Sequence, residues 1–161
     1  MLETEIETEA LISSVGADYR LLRDLLASGK WQEADLETSA IILQAAGREH
    51  EGWLTSESLA KFPCLDLQTI DKLWIKYSQG HFGFSVQKRI YFEVGENFAL
   101  FSDRVGWRVR GNWLNYSEHT FNLIAPIGHL PSGGVGYKRR VRLFEAGYAA
   151  LAHRVAECII C

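Results

Sequence analysis

The fold class is decided by the stretch Asp18-Tyr-Arg-Leu-Leu-Arg-Asp-Leu-Leu-Ala-Ser-Gly29 together with Trp31-Gln-Glu-Ala-Asp-Leu-Glu-Thr-Ser-Ala-Ile-Ile-Leu-Gln-Ala45, which follows it. Apolar residues recur there at three- and four-residue steps, the spacing of one face of an α-helix. Asp18 is suited to cap the first helix, and Gly29 and Gly47 are suited to end the two helices. The predicted buried faces are Tyr19, Leu22, Leu25 and Leu26, then Trp31, Ala34, Thr38, Ile41, Ile42 and Ala45. The pattern therefore predicts a helical hairpin.

The rest of the chain continues the helical pattern. A short capped helix is predicted over residues 55–62, before Pro63, and a longer one is predicted to begin near Asp66 and to bury Leu67, Ile70, Leu73, Trp74 and Tyr77. Ser85 is a candidate cap for a further helix that buries Val86 and Ile90, and a last helix is predicted from Val141 to about Cys158. With 161 residues, the chain is expected to form one all-α domain of short helices.

Composition excludes several classes of protein. Apolar residues make up 47% of the chain and charged residues 23%, so the protein is neither disordered nor of low complexity. Cys64, Cys158 and Cys161 cannot all pair, and the pair at 158 and 161 has no second Cys-x-x-Cys to complete a zinc site. Neither a disulfide scaffold nor a zinc ribbon is therefore supported, and a reducing, cytosol-like compartment fits best. We also expect no signal peptide, transit peptide or transmembrane segment.

The net charge of −3 gives no reason to expect a nucleic-acid partner, but it conceals an asymmetry. Residues 1–71 carry 5 Lys and Arg against 14 Asp and Glu, whereas residues 72–161 carry 12 against 6. Any anion-binding surface should come from the stretch between Arg104 and Arg142, which has seven basic residues and one acidic one. The alternative is that the acidic and basic halves attract each other within the fold.

The most informative segment for function is Val105-Gly-Trp-Arg-Val-Arg-Gly-Asn-Trp113 and the apolar loop that follows it. The alternation of residues 105–110 is typical of a strand, but no matching second strand is evident, and we favour the helical context. Residues 114–138 lack periodicity, and loops of this length in a compact domain are usually functional or disordered. Their apolar content argues against disorder. The aromatic side chains either face a large flat apolar ligand or belong to the core, and both alternatives remain open.

Other candidate sites have simpler explanations. The run from Lys138 to Arg142 is short enough to be a solvated helix start rather than a nucleic-acid patch. His81, His119 and His129 lack metal-ligand spacing, so ordinary hydrogen bonding is favoured over axial ligation and no metal site is claimed. The acidic residues at 33, 35 and 37 are explained by the helix dipole and solvent. No set of nucleophile, base and oxyanion donor can be assembled, so we do not expect an enzyme.

Five blocks of sequence, in order along the chain, carry a family resemblance. They are Asp18-Tyr19 with Gly29-Lys-Trp-Gln-Glu-Ala-Asp-Leu-Glu-Thr38, Phe62-Pro-Cys-Leu-Asp-Leu-Gln-Thr-Ile-Asp-Lys-Leu-Trp74, Tyr77-Ser-Gln-Gly-His-Phe-Gly-Phe-Ser-Val-Gln-Lys88, Val105-Gly-Trp107 and Gly128-His-Leu-Pro131. Together they strongly resemble the genomes-uncoupled tetrapyrrole-binding domain. The resemblance covers residues 18–131, so we expect an acidic N-terminal extension at 1–17 and the tetrapyrrole-binding domain at 18–161.

The resemblance implies an all-α fold with a concave hydrophobic surface that binds protoporphyrin IX or magnesium protoporphyrin IX, without a permanently bound cofactor. It also implies a non-catalytic role in chlorophyll synthesis: stimulation of magnesium chelatase through its large porphyrin-binding subunit. The expected location is the cytoplasm of a cyanobacterium or the plastid stroma, and the expected state is a monomer with peripheral membrane contact at most. The alternatives are a paralogue that senses porphyrins or bilins and a protein-interaction module; a tetrapyrrole-modifying enzyme is the third.

The ligand site is predicted from the Trp/Arg segment, the loop and the basic run. Trp107 and Trp113 are expected to form walls, and Arg108, Arg110, Arg139 or Arg140 to meet the ligand's carboxylates. A mobile flap is expected to consist of Tyr116, Phe121, Leu123 and Ile127.

Overall fold

A computed structural model of the chain describes residues 11–133 and 142–159. Within these ranges, every helix is too short or too polar to span a lipid bilayer. The described part contains seven α-helices and one small two-stranded sheet, which confirms the all-α prediction. The helices are α1 (Arg20–Ala27), α2 (Trp31–Ala45), α3 (Ser56–Ala60), α4 (Cys64–Ser78), α5 (Phe84–Glu93), α6 (Phe98–Val105) and α7 (Arg142–Cys158), and the strands are β1 (Arg108–Val109) and β2 (Asn112–Trp113).

The predicted helical hairpin is confirmed, because α1 packs against α2. All six residues of the stripe predicted for α2 are buried. Thr38 at the centre of this stripe donates its hydroxyl to the carbonyl of Ala34 at 2.7 Å and accepts the indole N–H of Trp74 at 3.0 Å. This pair ties α2 to α4 and satisfies both the Thr38 hydroxyl and the Trp74 indole N–H in the core.

The first turn of α4 differs from the prediction. Asp66 does not cap the helix, because α4 begins at Cys64 after Pro63. The Asp66 carboxylate is fully buried and accepts hydrogen bonds from Ser13, from Ser14 and from the hydroxyl of Tyr19, which lies at 2.7 Å. Burial raises the pKa of Asp66, but these hydrogen bonds outweigh it and the pKa is lowered. Asp66 therefore anchors the described part of the predicted N-terminal extension to the domain.

The helix α5 begins after Gly83 rather than at a Ser85 cap. Gly83 has φ of 134°, and a Cβ there would lie 2.9 Å from Oδ1 of Asp71, so only glycine fits this turn. Oδ1 of Asp71 accepts the backbone N–H of Ser85 at 2.9 Å. The carboxylate comes from α4 instead of from the helix being started.

The segment after α6 is a β-hairpin and not a helix, so our preference for the helical context was wrong. Val105 ends α6, and Gly106 turns the chain at φ of 83°. Arg108 pairs with Trp113 and Val109 with Asn112, and the two-residue turn between them has positive φ at Arg110 and Gly111. Positive φ at both central positions is the geometry of the tightest β-hairpin turns.

The last helix, α7, begins one residue after its predicted start at Val141. It packs against α3, α4 and α5. A disulfide joins Cys64 at the start of α4 to Cys158 at the end of α7. The composition had supported no disulfide, so this cross-link is a correction to the sequence analysis. Arg154 adds a hydrogen bond of 2.8 Å to the carbonyl of Phe62, which holds α7 to the same end of the domain.

Candidate functional site

The β-hairpin exposes two of the predicted binding residues, Arg110 at its turn and Trp113 on its second strand. Trp113 is 44% exposed and stacks on Phe98 of α6, with ring centroids 5.4 Å apart and ring planes 13° apart. Phe98 is itself buried against Tyr148 of α7. Phe98 therefore supports the Trp113 indole from one side while much of the residue stays exposed, which is an arrangement suited to contact with a flat ligand.

Trp107 lies in a different environment from Trp113. Its side chain is buried, and its ring makes edge-on contacts with Phe101 and Tyr148 at centroid distances of 5.3 and 5.9 Å. The indole N–H donates to the carbonyl of His129 at 2.8 Å. Trp107 was expected to form an accessible wall of the ligand site, but it is buried. Its ring supports the loop from the inside of the domain.

The predicted arginines separate into three groups. The guanidinium of Arg108 bonds to the carboxylate of Asp103 at 2.8 Å and lies 5.7 Å from the centre of the Trp113 ring. Arg110 is exposed at the hairpin turn and makes no ion pair with any residue that the structure describes. Arg139 and Arg140 fall outside the described residues. Arg110 is thus the cation that this part of the chain leaves available to a ligand carboxylate.

The long loop, residues 114–133, exposes three large aliphatic side chains within five residues of one another. Leu123 is 45% exposed, Ile124 88% and Ile127 50%. Monomeric proteins seldom expose several large aliphatic side chains so close in sequence unless a ligand or partner covers them. Tyr116 and Phe121 are partly buried and contact each other, with ring centroids 5.3 Å apart. The predicted flap therefore consists of an exposed part, at residues 123–127, and a base that packs on the domain.

Hydrogen bonds from three helices and their flanking residues fix this loop. His81 bonds to the carbonyl of Ala125 at 2.6 Å. The amide of Gln87 donates to the carbonyls of Gly128 and Pro131 at 3.0 and 2.8 Å, and its oxygen accepts the hydroxyl of Tyr148 from α7. These contacts satisfy loop carbonyls that would otherwise be buried without a donor.

The side chains of His129 and His119 form hydrogen bonds, which is the role that the sequence analysis favoured over metal ligation. One ring nitrogen of His129 bonds to the carbonyl of Val105 at 2.7 Å, and the other accepts the N–H of Thr120 at 2.9 Å. The loss of solvent on burial lowers the pKa of His129. His119 bonds to the hydroxyl of Ser132 at 2.8 Å. In the described ranges, no three His, Cys, Asp or Glu side chains come together in a way that could hold a metal ion.

Asp35 is the site residue that the sequence reasoning missed. Its carboxylate is fully buried, and Oδ2 accepts the hydroxyl of Tyr116 at 2.5 Å and the N–H of Gly133 at 2.9 Å, while Oδ1 accepts the N–H of Ser132 at 2.7 Å. Burial raises the pKa of Asp35 to about 6, against the lowering effect of these hydrogen bonds. The signal was present, because residue 35 lies four residues after Trp31 and therefore on the buried face of α2.

Comparison with known proteins matches most of the chain. The family model described as GUN4-like matches residues 12–147. A "Ycf53-like protein" from Synechocystis is 37% identical over 141 residues, which cover 86% of this chain and 60% of that protein. The "Tetrapyrrole-binding protein, chloroplastic" of Arabidopsis thaliana is 31% identical over 125 residues, which cover 70% of this chain and 47% of that protein. The chain therefore spans about half the length of these relatives.

Solved structures match the fold as a whole. The structure of GUN4 from Chlamydomonas reinhardtii superposes with a TM-score of 0.77 at 29% identity, covering 89% of this chain and 92% of that one. The ligand-free structure of Arabidopsis thaliana GUN4 gives a TM-score of 0.74 at 26% identity, covering 85% of this chain and 95% of that one. The arrangement of helices described above is thus shared with both.

Proposed function

Because this chain belongs to the GUN4-like family, we propose that it binds a free tetrapyrrole, protoporphyrin IX or magnesium protoporphyrin IX, on the surface formed by the hairpin and the loop. The observation that carries the proposal is the exposure of Trp113, Leu123, Ile124 and Ile127 on segments whose polar groups are already engaged in internal hydrogen bonds. A relative from Arabidopsis carries the name of a tetrapyrrole-binding protein, which supports the same ligand class.

Apolar contact should supply most of the affinity. Covering about 300 Å² of macrocycle and a similar area of protein, at about 25 cal/mol per Å², gives about 15 kcal/mol before association costs. An exposed pair between arginine and a carboxylate contributes about 0–1 kcal/mol. We therefore propose that Trp107, Trp113, Tyr116, Phe121, Leu123 and Ile127 set the affinity, Trp107 by supporting the loop. Arg110, with Arg108, Arg139 and Arg140, would orient the carboxylate edge of the ring.

We further propose that the protein acts by binding and presenting its ligand rather than by converting it. His119, His129 and Asp35 are titratable groups in or against the loop, and each holds loop atoms in place. The proposed effect is stimulation of magnesium chelatase, in cyanobacterial cytoplasm or plastid stroma, through its large porphyrin-binding subunit and with this chain as a monomer. A bilin is the alternative ligand.

Titration of tryptophan fluorescence with deuteroporphyrin IX tests the binding site. Leu123→Ala combined with Ile127→Ala removes two half-exposed side chains and should weaken binding about tenfold, the equivalent of about 1.4 kcal/mol. The matched control is Leu65→Ala on α4, because Leu65 is 45% exposed, as Leu123 is. Its dissociation constant should stay within twofold of the wild type. Equal affinity of all three proteins would place the ligand elsewhere.

The regulatory role has a separate test. Adding the protein to a magnesium chelatase assay at limiting porphyrin should raise the rate of metal insertion, and the loop double variant should raise it less. Porphyrin incubated with the protein alone should be recovered unchanged. Tight binding without any effect on the chelatase would favour the sensing paralogue.

A further inference from the structure

The carboxylate of Asp35 has an unusual set of partners. Its hydrogen-bond donors in the described part of the chain are Tyr116, Ser132 and Gly133, which all belong to the long loop and lie 81 to 98 residues away in sequence. None of these donors belongs to an α-helix of the described residues. Asp35 itself belongs to α2. Among the described residues, the hydrogen bonds to this buried carboxylate of the helical core therefore all come from the loop.

This arrangement couples the carboxylate to the position of the loop. A buried carboxylate without hydrogen bonds is strongly unfavourable, so Asp35 is satisfied only while residues 116 and 132–133 remain docked. The fit is close, because a Cβ at Gly133 would lie 2.8 Å from Oδ2 of Asp35 and 3.1 Å from the Tyr116 ring. Only a residue without a side chain can approach the carboxylate in this way.

Asp35 also joins the two ends of the loop. Tyr116 comes from its first part, whereas Ser132 and Gly133 come from its last part, and all three meet at one carboxylate. Two further bonds cross between the same parts, from Thr120 to His129 and between His119 and Ser132. The exposed side chains at 123, 124 and 127 therefore project from a closed base.

We propose that Asp35 is a positioning residue of the ligand site, which holds the base of the loop closed so that its exposed apolar side chains are in place before a tetrapyrrole arrives. The inference rests on the proposed function. A loop that is ordered before binding loses less conformational freedom when the ligand docks, and this raises affinity without any contact between Asp35 and the ligand. Release of the base should weaken binding although every lining side chain is still present.

The substitution Tyr116→Phe tests this with the smallest change. It removes one hydroxyl, keeps the aromatic ring and leaves the core intact. Tyr19→Phe is a matched control. It removes the same kind of hydrogen bond, from a tyrosine hydroxyl to a buried aspartate, which in this case joins Tyr19 to Asp66 at 2.7 Å. That pair anchors the N-terminal segment and not the loop. Both variants should lose similar thermal stability, and both should be measured well below their melting temperatures.

Deuteroporphyrin IX is the probe. The dissociation constant should rise about tenfold in Tyr116→Phe and stay within twofold of the wild type in Tyr19→Phe. In the background of Asp35→Asn, Tyr116→Phe should have little further effect, because the two residues act through one bond. In the ligand-free protein, amide exchange at Ser132 and Gly133 should be faster in Tyr116→Phe than in Tyr19→Phe.

The outcomes separate the two claims. Failure of the wild-type protein to bind deuteroporphyrin would overturn the proposed function. Wild-type binding that Tyr116→Phe leaves unchanged would overturn only the positioning role. Equal amide exchange at residues 132 and 133 in the two tyrosine variants would also overturn it, with or without a ligand.

Discussion

Replacing Asp35 with asparagine should remove a pH-dependent part of the folding stability. Burial raises the pKa of Asp35 from its ordinary value of 3.8 to about 6. Since the folded state binds this proton more tightly than the unfolded state does, the contribution of Asp35 to stability is fully present below about pH 4 and is lost as the pH rises through about 6. Each pH unit in this window corresponds to about 1.4 kcal/mol, so the wild-type protein should lose about 3 kcal/mol relative to the variant.

Urea unfolding of both proteins at several pH values between 4 and 7 measures this loss. The difference between their free energies of unfolding cancels the titration of groups that the two proteins share, provided that the sites are independent. A difference that is constant over this range would refute the reasoning. Tyr116→Phe gives an internal check: its hydroxyl lowers the pKa of Asp35, so the upper end of the window should move to higher pH in that variant.

Two further predictions concern the same framework. Cys64→Ser combined with Cys158→Ser opens a cross-link between residues 94 apart and should lower the free energy of unfolding by about 4 kcal/mol; an unchanged urea midpoint under non-reducing conditions would contradict this. Gly133→Ala places a Cβ 2.8 Å from Oδ2 of Asp35 and should cost about 1–3 kcal/mol through overpacking, seen as a lower melting temperature; a melting temperature equal to that of the wild type would mean that the loop shifts at no cost.

The helical part of the fold could be predicted because it follows from periodicity. The apolar stripes on α1, α2 and α4 repeat the 3.6-residue period over two or more turns. In α2, every residue that was predicted to be buried is buried. The helix α6, Phe98–Val105, was not predicted, and its last residue, Val105, was assigned to the alternating pattern of residues 105–110 instead. The β-hairpin was missed because its second strand, Asn112–Trp113, is only two residues long, so the alternation at residues 105–110 had no recognisable partner.

The sequence predicts where the candidate site lies, and that location stays a prediction, but it does not predict how the loop is held. The apolar content of the loop left a core and a ligand surface as alternatives, and the structure exposes Leu123 and Ile127. What fixes the loop is a set of hydrogen bonds to residues distant in sequence, such as Gln87 and Asp35, and no local pattern encodes such pairings. Its place in the first turns of α2 favoured the helix dipole and solvent as the explanation for Asp35, although the residue lies on the buried face of the helix.

Three buried aspartates share one structural role in this domain. Asp66 holds the segment at residues 13–19, Asp71 holds the turn into α5, and Asp35 holds the long loop. Each carboxylate accepts backbone N–H groups that no helix or sheet bond satisfies: Asp66 from Ser14, Asp35 from Ser132 and Gly133, and Asp71 from Ser85 in the first turn of α5. Replacing such groups with apolar residues can stabilise a core, but it also removes the directional bonds that select one loop position. For a loop whose exposed residues are apolar, the competing position is collapse onto the domain, which would bury the surface proposed here to bind the ligand. The hydrogen bonds that fix the loop, from residues such as Asp35 and Gln87, therefore keep its apolar side chains exposed to solvent.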